Sequence, residues 1–323
     1  MFNCITDAGK SSKKKFCIYI NAFTTLVYKK AKYRFLIKQN IKLAKFAGFC
    51  YGVKRAVETA KKLKQENPDK NIYILGELIH NTDVINELED LGIKTIYEVP
   101  VHGDGICIIR SHGESPQVFE KIKNAGFELV DLTCPDVKKV QQKAIELAKS
   151  DYFVVIVGKS NHPEVMAIKA NAELYTDKVA IATTIEELKP YAQKIKEHKK
   201  AGVVVQTTQM VLSLNLIVNY LNTIAKEVLI HNTICQSTAM RQKEARELAK
   251  ESDLMVVVGS KKSANTTHLA EILKNCTKTI HIENESELDE DLLFNVNNVG
   301  ITAGASTPQV VIDKVINKIK GEN

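Results

Sequence analysis

The sequence predicts an α/β fold built from three similar α/β/α units with mostly parallel sheets. When the chain is aligned with itself at an offset of 101 residues, Cys134 falls on Cys235, and the Glu-Leu-Ala-Lys at 146–149 falls on the same tetrapeptide at 247–250. A repeat of that size is a whole supersecondary unit rather than one turn of a solenoid. Short apolar runs alternate with helical patterns, which is typical of buried parallel strands connected by helices.

Each unit is predicted to contain the same elements in the same order: a cysteine, a helix, a buried strand, a glycine and a polar loop. The helices are expected at 53–64, 137–149 and 240–250. The buried strands are expected at 71–75, 153–157 and 254–258. A second strand that ends in small polar residues is expected at 105–110, 202–205 and 298–301. Because ligands of parallel α/β units collect at the carboxyl ends of strands, we expect the units to pack as a ring around a central cavity.

The predicted division of the chain is a basic extension at 1–40, followed by units at 41–134, 135–231 and 232–323. The first strand and the Cys50 loop are expected to pack with the third unit. Residues 1–40 contain nine Lys or Arg and one Asp, a charge of +8, while the whole chain carries +7. The folded part therefore carries −1, which argues against a nucleic-acid-binding protein.

Residues 13–28 have a basic start and a short apolar stretch, as secretory signals do. They lack a small-residue cleavage site and are too short to span a membrane. We expect a disordered extension, organelle targeting being the lesser alternative, and no membrane association. Seven cysteines without a small-domain framework indicate a reducing compartment, so the predicted location is the cytoplasm.

Three cysteines, Cys50, Cys134 and Cys235, occupy the repeat position directly before a helix. A helix N-terminus favours the thiolate form, which is the form that binds metals. Three thiolates suit either zinc or an iron-sulfur cluster with one open iron. The other four, Cys4, Cys17, Cys107 and Cys276, lack this position and are expected to be core residues.

Polar residues recur in the loops that follow the strands: His80, His112, His162, Thr207, Ser263, Asn265 and Ser306. Neutral donors near helix N-termini suit a phosphate group without requiring Lys or Arg. Glu164 would repel a phosphate, so we expect it at the other end of the site as a proton donor. The alternative for Glu164 is a first-turn residue that only stabilises its helix.

The motifs that carry these residues resemble the 4-hydroxy-3-methylbut-2-enyl diphosphate reductases of the IspH/LytB family, in the right order from Ile41 to the C-terminus. They are Phe46-Ala-Gly-Phe-Cys50-Tyr-Gly, His80-Asn, Ser111-His112-Gly113, Asp131-Leu-Thr-Cys134-Pro, His162-Pro-Glu164, Gln206-Thr207-Thr208, Asn232-Thr-Ile-Cys235, Ser263-Ala-Asn265 and Ala305-Ser306.

The resemblance implies a trefoil around a [4Fe-4S] cluster held by Cys50, Cys134 and Cys235. The substrate would be an allylic diphosphate, reduced with electrons from ferredoxin or flavodoxin to isopentenyl and dimethylallyl diphosphate. His80, His112, Ser263, Asn265 and Ser306 would bind the diphosphate, with His162 nearby. Glu164 would relay a proton, and Thr207 would orient it and the substrate hydroxyl.

Two departures from the family pattern stand out. Ala264 occupies a position where some relatives have a second serine, and residues 1–40 have no counterpart in the short bacterial form. Two other functions remain open on the residues alone. One is a zinc phosphate-ester hydrolase with three thiolate ligands, and the other is an iron-sulfur sensor that binds diphosphates without turnover.

Overall fold

The structure is a computed structural model that describes residues 39–322. Within them, twelve strands form three four-stranded sheets, and all the strand pairs are parallel. The predicted α/β fold with three parallel-sheet units is confirmed. The predicted extension at 1–40 lies outside the described residues except for its last two positions.

The chain enters the fold with β1 (Asn40–Leu43), which joins the third sheet. The first sheet has the order β3-β2-β4-β5 and is covered by three helices. Its strands are β2 (Ile72–Leu75), β3 (Ile93–Ile96), β4 (Ile106–Ile109) and β5 (Glu128–Asp131). The helices are α1 (Tyr51–Glu66), α2 (Thr82–Asp90) and α3 (Pro116–Asn124).

The second sheet repeats this arrangement with the order β7-β6-β8-β9. Its strands are β6 (Phe153–Val157), β7 (Val179–Ala182), β8 (Lys200–Val205) and β9 (Glu227–Ile230). The helices of this unit are α4 (Pro135–Lys149), α5 (Pro163–Ala172), α6 (Ile185–Leu188), α7 (Ala192–His198) and α8 (Val211–Ile224).

The third sheet is completed by the strand from the start of the fold. Its own strands are β10 (Leu254–Val258), β11 (Thr279–Ile282) and β12 (Asn298–Ala303), and its order is β11-β10-β12-β1. Its helices are α9 (Gln236–Ala249), α10 (Ala264–Lys274) and α11 (Gln309–Lys320). Strand β1 takes the place that β5 and β9 hold in the other sheets, so the segment leading to Cys50 is anchored to the third unit.

The central strands β6 and β10 are apolar at every position because both of their faces are covered. In β10, Leu254, Val256 and Val258 pack into a core with α11, whereas Met255 and Val257 pack on the other face with α9 and α10. All five side chains are fully buried. A parallel strand between two helical layers has no solvent face, which is why its sequence does not alternate.

The three cysteines occupy equivalent places in the three units. The amide of each donates a hydrogen bond to a carbonyl in the loop that follows a central strand. The bonds are Cys50 N to Ala305 O at 3.1 Å, Cys134 N to Ser111 O at 3.0 Å and Cys235 N to Thr207 O at 3.0 Å. The repeat in the sequence therefore corresponds to a repeat in the structure. In each copy, the helix that follows the cysteine begins beside the loop at the carboxyl end of a central strand.

Apart from β1, the edge strands were not predicted from the sequence. Two of them, β5 and β9, are four residues long, mix charged with apolar residues and have no buried position. Such segments have no apolar run that distinguishes them from loops. The helices also extend beyond their predicted bounds, α9 beginning at Gln236 rather than at 240.

The cysteines outside the repeat position differ from one another. Cys107 is fully buried in β4, as expected, but Cys276 is exposed beyond the end of α10, so the prediction of a core residue is wrong there. Cys4 and Cys17 lie outside the described residues. Among the helices that the structure describes, none is both long enough and apolar enough to cross a membrane.

Candidate active site

One cavity lies where the carboxyl ends of the central strands of all three sheets converge. It encloses about 760 Å³, including its open mouth. The residue five positions beyond the end of β2, β6 and β10 lines it in every unit: His80, His162 and Ser263. The cavity brings together every site residue predicted from the sequence, namely Cys50, His80, His112, Cys134, His162, Glu164, Thr207, Cys235, Ser263, Asn265 and Ser306.

The three thiols sit at the N-caps of α1, α4 and α9. All three are free and partly exposed. A Cβ atom added at Gly52 would lie 2.7 Å from Cys134 Sγ and 4.0 Å from Cys50 Sγ. Any side chain at position 52 would therefore collide with the Cys134 sulfur, which explains the glycine two residues after Cys50.

Burial outweighs the helix N-termini in setting the pKa of Cys134 and Cys235. It raises the pKa of Cys235 to about 11, although the Thr238 amide and hydroxyl act on the sulfur in the opposite direction. Burial also raises the pKa of Cys134. The expectation that the helix N-terminus favours the thiolate is wrong for Cys134 and Cys235 as free thiols. A metal centre would have to displace the thiol protons on binding.

Three histidines form a compact group on the cavity wall. The rings of His80 and His112 stack with centroids 4.7 Å apart, and the ring of His162 meets them edge-on at 6.0 Å and 5.4 Å. One ring nitrogen from each lies within 4.8 Å of the others. Burial lowers the pKa of His162 to about 3 and holds the pKa of His112 well below its usual value, so both imidazoles are neutral at pH 7.

The hydrogen bond that His162 accepts favours an anion over a metal ion at its other ring nitrogen. His162 Nδ1 accepts a bond from the Glu164 amide at 3.2 Å, so the proton of the neutral ring is on Nε2, which is then a donor. His80 Nδ1 lies 2.9 Å from a Glu77 carboxylate oxygen and donates to it. Since a metal ligand needs a free lone pair, the Nε2–H of His162 suits an oxyanion better than a cation.

Several polar atoms of the cavity have no partner among the described residues. His112 Nδ1 and Asn265 Nδ2 are buried without a hydrogen bond, and Ser263 caps α10 without a side-chain bond to it. Helices α2, α5 and α10 all begin at this cavity, which adds the positive ends of three helix dipoles. Ala264 also lines the cavity, where it offers its backbone amide rather than a hydroxyl. Unpaired donors and helix N-termini together suit a polyanionic ligand.

Glu164 lies buried at the first turn of α5, with 1% of its surface exposed. Its carboxylate accepts hydrogen bonds from the amide and the hydroxyl of Thr207 at 2.6 Å and 2.8 Å. Burial raises its pKa to about 7, against the opposing effect of the Thr207 bonds. The Thr207 carbonyl also accepts a hydrogen bond from the amide of Cys235. Because Thr207 contacts both residues, Glu164 lies on the thiol side of the cavity.

Two residues near the site were missed by sequence reasoning. Glu77 supports His80 from three positions earlier, and Arg241 lies buried in α9 six positions after Cys235. For each residue, the available sequence signal was a charged side chain a few positions away from a predicted site residue. It was weak, because most charged residues in such positions simply face solvent.

Three similar parallel-sheet units around one shared cavity place the molecule among the α/β proteins built from three such units. The sequence profile of the LytB protein family matches residues 41–320. The chain therefore belongs to the LytB family.

Named proteins are similar over almost the same length. A 4-hydroxy-3-methylbut-2-enyl diphosphate reductase of Caldanaerobacter subterraneus subsp. tengcongensis is 43% identical over 285 residues, which are 87% of this chain and 96% of that protein. A solved structure of (E)-4-hydroxy-3-methyl-but-2-enyl diphosphate reductase, described as the terminal enzyme of the non-mevalonate pathway, is 38% identical, with a TM-score of 0.66 over 88% of this chain and 99% of that one. The solved E-1-hydroxy-2-methyl-but-2-enyl-4-diphosphate reductase of Plasmodium falciparum is 29% identical, with a TM-score of 0.79 over 87% of each chain.

Proposed function

We propose that this chain is an oxidoreductase that converts (E)-4-hydroxy-3-methylbut-2-enyl diphosphate into isopentenyl diphosphate and dimethylallyl diphosphate, the last step of the methylerythritol phosphate route. Its relatives carry the name of this enzyme. The observation that carries the proposal is the position of Glu164, a buried acid in the same cavity as three thiols and unpaired donors. This arrangement suits reductive removal of a hydroxyl group from a diphosphate ester.

Members of this family are iron-sulfur enzymes, and we propose that Cys50, Cys134 and Cys235 hold one [4Fe-4S] cluster. The donor set fits, since three soft sulfur ligands face one cavity and Gly52 keeps the space beside two of them clear. When bound, such a cluster supplies one-electron reduction and an iron ion that acts as a Lewis acid on the leaving hydroxyl.

The proposed diphosphate ligands are His80, His112, Ser263, Asn265 and Ser306, with His162 nearby. The carbonyl of His80 accepts a bond from Ser306 Oγ at 3.3 Å, which links the first unit to the third. Asn265 Nδ2 is a buried donor without a partner among the described residues, so a phosphate oxygen would satisfy it. His112 Nδ1 is also buried and unpaired, and a phosphate oxygen would satisfy it in the tautomer that carries the proton on this nitrogen.

The reaction requires two electrons and two protons. The allylic carbon–oxygen bond breaks, the oxygen leaves as water, and one hydrogen is added to carbon. Glu164 is protonated in part near pH 7 and can donate a proton from the thiol side of the cavity. Thr207 orients the Glu164 carboxyl through its amide and hydroxyl, and the same hydroxyl is in a position to contact the substrate hydroxyl.

We further propose that the electrons come singly from a ferredoxin or flavodoxin and that the protein works in the cytoplasm. The second proposal is supported by the five cysteines of the described residues, all of which are free thiols.

The test is purification without oxygen, followed by analysis for iron, sulfide and zinc and by an assay with a reduced one-electron dye. We expect about four iron and four sulfide ions per chain and dye oxidation that depends on the allylic diphosphate. Zinc with release of phosphate would instead support the hydrolase. An intact cluster that binds the diphosphate without turnover would support the sensor.

Asn265 provides a prediction on substrate binding. In Asn265→Leu, we expect the KM for the diphosphate to rise roughly tenfold to a hundredfold, since a hydrogen bond to a charged group contributes about 1.5–3 kcal/mol. The melting temperature should not fall, because the free protein buries this amide without a partner. Asn275→Leu, at the exposed end of the same helix, is the control. An unchanged KM in Asn265→Leu would remove this residue from the binding site.

A further inference from the structure

The Arg241 side chain is a buried cation beside the thiols. It lies in α9, six residues after Cys235, and only 2% of its surface is exposed. Its guanidinium donates to Phe46 O at 2.8 Å, to Gly48 O at 2.7 Å and to Ser237 Oγ at 3.2 Å. All of these acceptors are uncharged, so none of its hydrogen bonds neutralises the positive charge.

Two of the three thiols lie close enough to act on this charge. Burial lowers the pKa of Arg241, and negative charge on Cys50 and Cys235 opposes that effect, followed by a smaller effect of Glu244. A guanidinium without an anionic partner is costly to bury. The structure therefore keeps a positive charge where the two sulfur atoms would become negative on binding a metal centre.

The hydrogen bonds of Arg241 also tie two thiol-bearing segments together. Phe46 and Gly48 belong to the loop that leads to Cys50, while Arg241 shares its helix with Cys235. Arg55 in α1 makes a comparable pair of bonds, to Leu132 O and Thr133 O, just before Cys134. Arg55 is partly buried, so of these two arginines it is Arg241 that combines the bridging geometry with full burial.

We propose that Arg241 is a positioning residue whose buried positive charge makes the iron-sulfur centre at Cys50, Cys134 and Cys235 easier to reduce. Addition of an electron makes a thiolate-bound cluster more negative, and a nearby fixed cation stabilises the reduced form more than the oxidised form. This inference rests on the proposed function for the presence of the cluster, but not for its substrate.

The test is an anaerobic redox titration of the loaded protein without substrate, in which the reduced cluster is followed by electron paramagnetic resonance. In Arg241→Gln, we expect about a tenfold lower ratio of reduced to oxidised cluster at a fixed potential, which equals a shift of about 59 mV to more negative values. In Arg241→Lys, which keeps the charge, the ratio should stay within about threefold of the parent. Arg246→Met, an exposed position on the same helix, is the control.

A second variant keeps the proposal testable if Arg241→Gln does not retain its cluster. The negative charge of the Glu244 carboxylate also acts on Arg241. This carboxylate accepts hydrogen bonds from the amides of Lys45 and Phe46. Glu244→Gln removes a negative charge, so its midpoint potential should move to less negative values. Loaded variants of Arg241 and Glu244 that both titrate like the parent would overturn the proposal.

The outcome is separable from that of the proposed function. If the parent protein contains no iron and sulfide, the metal analysis refutes the proposed cluster before any titration is made. A parent protein that has the cluster but does not turn over the diphosphate refutes the proposed reaction, while the titration of Arg241→Gln still decides the role of this arginine.

Discussion

Replacing Glu164 by Gln should lower kcat by about a hundredfold or more and leave KM within about threefold of the parent value. General acid catalysis by one side chain typically contributes 10²–10⁴-fold. Gln has the shape of the protonated acid, and its amide can still pair with the Thr207 amide and hydroxyl that now bind the carboxylate. The variant therefore keeps the binding site but lacks the general acid that donates the proton.

The pH dependence of the parent gives an independent check on this role. Because burial raises the pKa of Glu164 to about 7, the carboxyl is mostly protonated at pH 6 and mostly ionised at pH 8. We expect kcat to fall as the pH rises through about 7, and we expect this fall to disappear in Glu164→Gln.

The control for Glu164 is Glu173→Gln, at the exposed C-terminal end of the same helix, where the carboxylate pairs with Lys169 at 3.3 Å. It should behave as the parent. A parental kcat in Glu164→Gln would show that another group delivers the proton.

Replacing Cys134 by Ser should reduce the iron and sulfide content of the anaerobically purified protein to less than about a tenth of the parent. A serine hydroxyl is a hard ligand that suits iron-sulfur centres poorly. The two sulfurs that remain, on Cys50 and Cys235, belong to the segments bridged by Arg241 and leave one of the three ligand positions empty.

The measurement for Cys134 is quantitative iron and sulfide analysis together with visible absorption, and the melting temperature of the metal-free protein shows whether the fold persists. Cys276→Ser is the control, because this thiol is exposed beyond the C-terminal end of α10 and does not line the cavity. A variant of Cys134 with a full and active cluster would refute the ligand assignment.

The sequence was most informative where the physical constraint is strong and local. The runs at 153–157 and 254–258 are the observed β6 and β10, because a strand covered on both faces must be apolar throughout. The edge strands β5 and β9 were missed because their exposed positions tolerate mixed residues. The thiol acidity was misjudged because the sequence shows the helix start but not the depth of burial.

The sequence by itself determined the three-unit α/β architecture and the set of residues gathered at the cavity, because repeated local patterns and strand-end positions are written along the chain. The tertiary structure alone decided two further features. It gave Glu164 its raised pKa, and it buried Arg241 against the carbonyls of Phe46 and Gly48. Each of these depends on contacts between distant segments, and burial and electrostatic effects arise from what surrounds a group in space rather than from its neighbours in the chain.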